Sequence, residues 1–219
     1  MDKIVENLIN YLEFEKRHYR KELCVLETLV RDDTRLNEDI HECRKCELYI
    51  NVKNKVIGSG DSNSDIMLVG EAPGEEEDKR GIPFVGKAGE KLEEMLNFIG
   101  LTKESVYICN VLKCRPPHNA DPTAEQESAC REFLIRQIKI VKPKIIMTLG
   151  RHAASAVLKN DSKNMYDYIN KEFQTDDGIK VIATYHPAAI LYSKGETKNK
   201  IRKQVADDLK RLKKMAGEQ

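Results

Sequence analysis

Residues 65–89 read DIMLVGEAPGEEEDKRGIPFVGKAG. Ile66–Val69 is a short unbroken apolar run, the pattern of a strand buried on both faces. It runs directly into Gly70-Glu71-Ala72-Pro73-Gly74. Three similar runs follow, at Val106–Val111, Ile145–Leu149 and Val181–Thr184, with helical patterns between them at Lys87–Ile99, Ala124–Val141 and His152–Leu158. Strands alternating with crossover helices predict an α/β fold with three α/β/α layers and a central four-stranded parallel sheet. A last helix is expected over Ile201–Met215, with Val205, Leu209 and Leu212 turned inward. Residues 47–64 read as an irregular connection, and residues 160–179 are polar and receive no assignment.

The chain ahead of the first strand is different. Ile4, Leu8 and Leu12, then Leu23, Leu26 and Val30, recur at helical spacing and predict amphipathic helices. The expected division is therefore a helical extension over residues 1–40 and one domain over residues 41–219.

Unusual residues fall where each predicted strand ends. The first strand runs into GEAPG, the second ends at Asn110 and continues into Cys114-Arg115-Pro116-Pro117, and the fourth runs into Tyr185-His186-Pro187. Open α/β sheets bind ligands outside the carboxyl ends of their strands. A glycine-proline loop, an amide and an imidazole are thus expected to meet on one edge. GEAPG has neither the P-loop pattern nor the dinucleotide fingerprint. Its glycines suit close approach of the backbone to a ligand. The segment EEEDKRGIPFVGKAG after it reads as a loop, with four acids and a Phe84 set among glycines. His186, between a strand and a proline that fixes the turn, is a candidate catalytic group. His18, His41, His118 and His152 read as appendage, loop or helix-start residues.

The composition excludes several classes. In 219 residues, 37 basic and 36 acidic side chains leave a net charge of +1, so nucleic-acid binding would have to come from local segregation of charge. No stretch approaches the roughly 20 apolar residues of a membrane span. The charged amino-terminal sequence lacks the apolar core of a secretory signal. Six cysteines are too few for a disulfide scaffold and suggest a reducing compartment. Cys43 and Cys46 form a CxxC pair, and Cys114 and Cys130 form a second, wider pair. Four thiolates of this kind suit Zn²⁺ or an iron–sulfur cluster; the alternative is buried free thiols. Cys24 and Cys109 read as core residues. Lys194–Lys214 contains nine lysines and arginines against three acids, a solvated helix face or a set of phosphate contacts.

Taken together these motifs resemble the family 4 uracil-DNA glycosylases, the iron–sulfur branch of that superfamily. The resemblance is carried by GEAPGEEED at 70–78, GIPFVGKAG at 81–89, NVLKCRPP at 110–117, HPAAIL at 186–191 and the cysteine pattern. It implies a DNA-repair hydrolase that releases uracil from DNA and leaves an abasic site. A flipped uracil would rest near Gly70 and Ala72, stack on Phe84 and be read at its edge by Asn110. His186 would donate to uracil O2, and Glu71 and Glu77 would stabilise a cationic sugar or orient water. Cys43, Cys46, Cys114 and Cys130 would hold one structural [4Fe–4S] cluster. Ile190 or Leu191, in an Ala188–Leu191 loop, would fill the gap in the stack. Lys194 and Lys198, with Lys87 and Lys113, would meet phosphate. With no lysine placed for a Schiff base, the enzyme is expected to be monofunctional. The resemblance further implies a monomer acting on single- or double-stranded uracil-containing DNA, cytoplasmic and nucleoid-associated, in a bacterium or archaeon. The competing readings are a non-catalytic or product-retaining uracil-DNA binding module and a metal-stapled interaction protein.

Overall fold

The structure, a computed structural model, describes residues 35–160, 162 and 164–217. The helices expected between Ile4 and Val30, and Cys24, lie outside the described residues. The chain divides into Met1–Asp39 and Ile40–Gln219, and apart from the start of the first described helix the features below belong to the second unit.

A six-stranded sheet forms the middle layer. Its strands are β1 (Ser59–Gly60), β2 (Ile66–Gly70), β3 (Tyr107–Asn110), β4 (Ile145–Leu149), β5 (Phe173–Gln174) and β6 (Lys180–Thr184), in the order β1-β3-β2-β4-β6-β5. The four inner strands are parallel, and are the four read from the apolar runs. The edges β1 and β5 are antiparallel two-residue strands that the sequence reading did not contain.

Helix α1 is described over residues 35–42. The others are α2 (Glu75–Arg80), α3 (Lys87–Phe98), α4 (Ala124–Val141), α5 (Arg151–Leu158), α6 (Pro187–Tyr192) and α7 (Gly195–Ala216). Strand side chains alternate between the two faces. Leu68, Ile108, Met147 and Ile182 pack against Leu92 and Leu96 of α3 and Val205 and Leu209 of α7. Met67, Val69, Ile146 and Val181 pack against Leu134 of α4 and Ala153 and Val157 of α5. Cys109 lies in this second core, as expected. Both faces of the sheet are therefore dry, which is why the inner strands read as unbroken apolar runs rather than as alternation.

Three local readings are corrected. EEEDKR is helix α2, not loop: Gly74 precedes it, Glu77 at its third position accepts from the Gly74 N–H at 3.1 Å, and Gly81 closes it with φ 73°. Ala188–Leu191 lies within helix α6, started by Pro187 at its first turn. Helix α7 begins at Gly195, a turn and a half ahead of the predicted Ile201.

Candidate active site

The carboxyl ends of β2, β3 and β6 open onto one cleft. Glu71, Phe84, Asn110, His186 and Tyr192 are among its lining residues. Beneath it Gly70 pairs with Asn110 in the β2–β3 register. A methyl group at Gly70 would lie 2.3 Å from Asn110 Oδ1 and 2.7 Å from Phe84 Cζ. The amide and the ring thus pack together over Gly70, where a side chain would displace both. Asn110 is 2 % exposed. A buried amide with an open face toward a cleft favours a ligand that pairs with it.

Phe84 sits in the left-handed region at φ 53°, a strained conformation for a bulky residue. Its surroundings hold it there. Its carbonyl accepts from Lys103 Nζ at 3.1 Å, and the next two amides, Val85 and Gly86, donate to Glu77 Oε1 at 2.9 Å each. Gly89 is required: a Cβ there would lie 1.8 Å from the Phe84 carbonyl oxygen. The buried Glu77 carboxylate therefore ties three backbone N–H groups, at Gly74, Val85 and Gly86, into one clamp around the aromatic turn. Charge-assisted bonds of this type are the strong class.

His186 caps α6. Its Nδ1 accepts from the Ala188 N–H at 3.2 Å, which leaves the proton on Nε2. The ring lies 5.8 Å from the Phe84 ring, tilted by 32°. Burial pushes the imidazole down to about 4, against a smaller upward pull from Glu77. It is a neutral imidazole with a free N–H donor at physiological pH.

Glu71 lines the same cleft but is held differently. Burial raises its pKa; His152 and Arg151 draw it down, and Asp121 and Glu127 push it up. The sequence reading treated Glu71 and Glu77 as equivalent. Their surroundings separate them into a carboxylate among ionisable side chains and a carboxylate saturated by backbone.

Cys43, Cys46, Cys114 and Cys130 line a single hollow with Lys113 and Phe133. Leu48, Leu112 and Ala72 pack around the sulfurs, and Ala72 also lines the cleft. Gln126 of α4 donates to Glu47 Oε1 at 2.7 Å, fixing the CxxC segment to the helix that carries Cys130. Burial, with Cys130 alongside, pushes the Cys114 thiol up to about 12; burial also raises Cys46 and Cys130. Such a set ionises only against a cation, so its chemistry fits a metal centre. A single tetrahedral zinc, with Zn–S of about 2.3 Å, would draw the sulfurs to about 3.8 Å from one another. Among the described residues no three of the four sulfurs lie within 4.8 Å of one another.

Three other expectations change. Ile190 is 5 % exposed and packs in the core, so it is not presented to DNA. Leu191 is half-buried, whereas the neighbouring Tyr192, missed in the sequence, is 79 % exposed on the cleft wall. Lys113 is 1 % exposed and donates to the Asn110 carbonyl at 2.5 Å and to Gln137 Oε1 at 2.6 Å, so it is no phosphate contact. Lys87 does lie exposed at the cleft, and Lys194 is exposed at the cap of α7 with Lys198 one turn on. His118 is exposed at φ 54°. No described helix is long and apolar enough to cross a membrane.

The chain matches the family model of the uracil DNA glycosylase superfamily over residues 57–210. It is 42% identical over 193 residues to a type-4 uracil-DNA glycosylase of Archaeoglobus fulgidus, covering 82% of this chain and 90% of that one. It is 41% identical over 178 residues to a type-4 enzyme of Thermotoga maritima, covering 81% and 91%. A type-5 enzyme of Pyrobaculum aerophilum is 32% identical over 151 residues, covering 62% and 66%. With its cleft at the ends of three parallel strands and its four gathered cysteines, the chain belongs to the type-4 branch of the uracil-DNA glycosylase superfamily.

Proposed function

We propose that this protein hydrolyses the N-glycosidic bond of deoxyuridine in DNA, releasing uracil and leaving an abasic site. The observation that carries this reading is that Phe84, Asn110 and His186 line one cleft, with the Phe84 ring and the Asn110 amide packed together over Gly70 and the His186 ring 5.8 Å from that of Phe84.

A base in a duplex is out of reach, so the deoxyuridine must turn out of the stack. Its planar ring would stack on Phe84 in the cleft, within reach of the Asn110 amide. Asn110 can donate to O4 and accept from N3–H. Cytosine presents the opposite pattern, so it would leave a buried amide unpaired, the strong kind of rejection. As the C1′–N1 bond breaks, negative charge grows on the uracil. His186 Nε2–H would donate to O2, and a neutral donor would meet the departing anion without having to transfer its proton. The sugar becomes cationic, and Glu71 supplies the opposing charge or orients the attacking water. Glu77 supports the site through the backbone around Phe84.

Cys43, Cys46, Cys114 and Cys130 would hold one [4Fe–4S] cluster. When bound, the cluster supplies a structural crosslink between the CxxC segment, the loop after β3 and α4. Tyr192 is better placed than Ile190 to enter the gap left by the flipped base. Lys87, Lys194 and Lys198 would contact phosphate and make binding fall steeply with salt. The protein would act as a monomer on single- or double-stranded DNA in the cytoplasm, at the nucleoid.

The test is release of free uracil from an oligonucleotide carrying one deoxyuridine, with cytosine and thymine in the same position as controls. Uracil release alone supports the reading; tight binding without release would make the protein a recognition module instead.

A further inference from the structure

At the far ends of helices α3 and α7 lies a surface that the reaction described above does not use. Helix α3 starts at the cleft, where Lys87 is a lining residue, and ends at Phe98, about 17 Å away at 1.5 Å per residue. There Phe98 and Ile99 line a groove with Lys210, Lys213 and Lys214 of α7. Phe98 is 57 % exposed, and Lys210 Nζ stands 5.9 Å from its ring centroid. No acidic residue is among the described residues that line the groove. Among the described residues none of the three lysines has an ion-pair partner, whereas Lys91 and Lys103 pair with Glu94 and Glu93 of α3. Lys213 and Lys214 complement the carbonyl end of α7. That role accounts neither for Lys210 nor for an exposed aromatic ring in the same groove.

Charge and position select the occupant. Helix α7 is capped at Lys194, two residues past Tyr192 of the cleft wall, so it leads from the cleft to the groove. Lys200, Lys203, Lys210 and Lys214 are exposed along it, at the helical spacing that places them on one face, and Asp207 is the one exposed acid among them. A row of phosphates is the anion that fits such a face. The exposed ring fits an unpaired base, whose flat face is open to stacking, and not a base already stacked within a duplex. We propose that α7 leads a single-stranded flank of the DNA away from the cleft, and that the groove holds a base of that flank on the Phe98 ring with Lys210, Lys213 and Lys214 on its phosphates. The inference rests on the glycosylase reading for where the other end of the strand is held. Gly195 to Lys210 spans about 23 Å, the length of about seven nucleotides stacked at 3.4 Å each.

The experiment is fluorescence anisotropy of the full chain with labelled single-stranded oligonucleotides carrying one 2′-fluorodeoxyuridine at the centre. The electron-withdrawing fluorine opposes a cationic sugar and keeps the glycosidic bond intact during the measurement. One oligonucleotide has about three nucleotides on either side of that residue, too few to reach the groove, and the other has about twelve. Phe98→Ala should weaken binding of the long strand at least about fivefold, the loss expected for one stacked base, and leave the short one unchanged. Phe98→Tyr, which keeps the stacking face, should bind both strands as the wild type does. Lys210→Gln combined with Lys214→Gln should flatten the slope of log K against log salt by about 1.4 for the long strand, as expected for two phosphate contacts. With ordinary deoxyuridine in the short strand, every variant should release uracil at the wild-type rate. Thymidine in place of the central residue separates the two claims. If the wild type binds the thymidine and fluorodeoxyuridine strands equally and releases no uracil, while Phe98→Ala still weakens the long strand, the groove stands and the glycosylase reading falls. Equal affinity of the wild type and Phe98→Ala for the long strand would overturn the inference and turn the groove's lysines toward an acidic protein segment. An equal loss on both strands would overturn it as well.

Discussion

The imidazole of His186 lies 5.8 Å from the ring of Phe84, centroid to centroid, and its Nδ1 is already taken by the Ala188 amide. The only proton it can offer is on Nε2, beside the ring that would hold the base. His186→Ala should therefore lower single-turnover uracil excision by about 10²–10³ while leaving DNA binding nearly intact. The pH dependence follows from its low pKa. His186 stays neutral until pH falls to about 4, whereas Glu71 protonates above its ordinary value. Loss of activity on acidification should thus disappear in Glu71→Gln and persist in Glu77→Gln. The same depressed His186 pKa means that the folded state binds fewer protons than the unfolded state between about 4 and 6.5. This group contributes a loss of stability as pH falls through that window, measurable as a fall in Tm that is smaller in His186→Ala.

Glu77 accepts from three amides that shape the Phe84 turn. Glu77→Gln replaces one acceptor oxygen with an NH₂ that faces an N–H group. It should destabilise the fold by about 1–3 kcal/mol, measured by denaturant unfolding. It should also weaken capture of deoxyuridine more than binding of undamaged DNA.

Gly70→Ala puts a methyl group 2.3 Å from Asn110 Oδ1 and 2.7 Å from Phe84 Cζ, so both of these cleft side chains must shift to admit it. The variant should lose uracil excision more completely than it loses DNA affinity. Wild-type excision by Gly70→Ala would mean that the positions of Asn110 and Phe84 do not govern capture of the base.

The cysteine hollow should give freshly isolated protein a brown colour and bound iron. Cys114→Ala should lose colour and solubility together, because the sulfurs join three chain segments. Stoichiometric zinc without iron in anaerobically prepared protein would contradict the cluster.

Much of this was legible in the sequence because the signals are local. Four unbroken apolar runs gave the inner strands, and the residues ending those strands had to lie on one edge. That edge holds Phe84, Asn110 and His186 together. What the sequence concealed depends on tertiary contact. β1 and β5 have two residues each and carry no periodicity. Helix α2 has no apolar face; its one signal is Gly74 followed three residues later by Glu77. Ile190 and Lys113 sit in motifs suggestive of DNA contact, yet their neighbours bury them. Nothing local ties His152 to Glu71, which are 81 positions apart in the chain.

The most direct measurement uses an end-labelled oligonucleotide with a single deoxyuridine, incubated with excess protein under single-turnover conditions. The account predicts free uracil and an intact strand that breaks only after alkali, with no release from the cytosine or thymine controls. A bound oligonucleotide that yields no uracil would contradict hydrolysis, and strand scission before alkali would contradict a monofunctional enzyme.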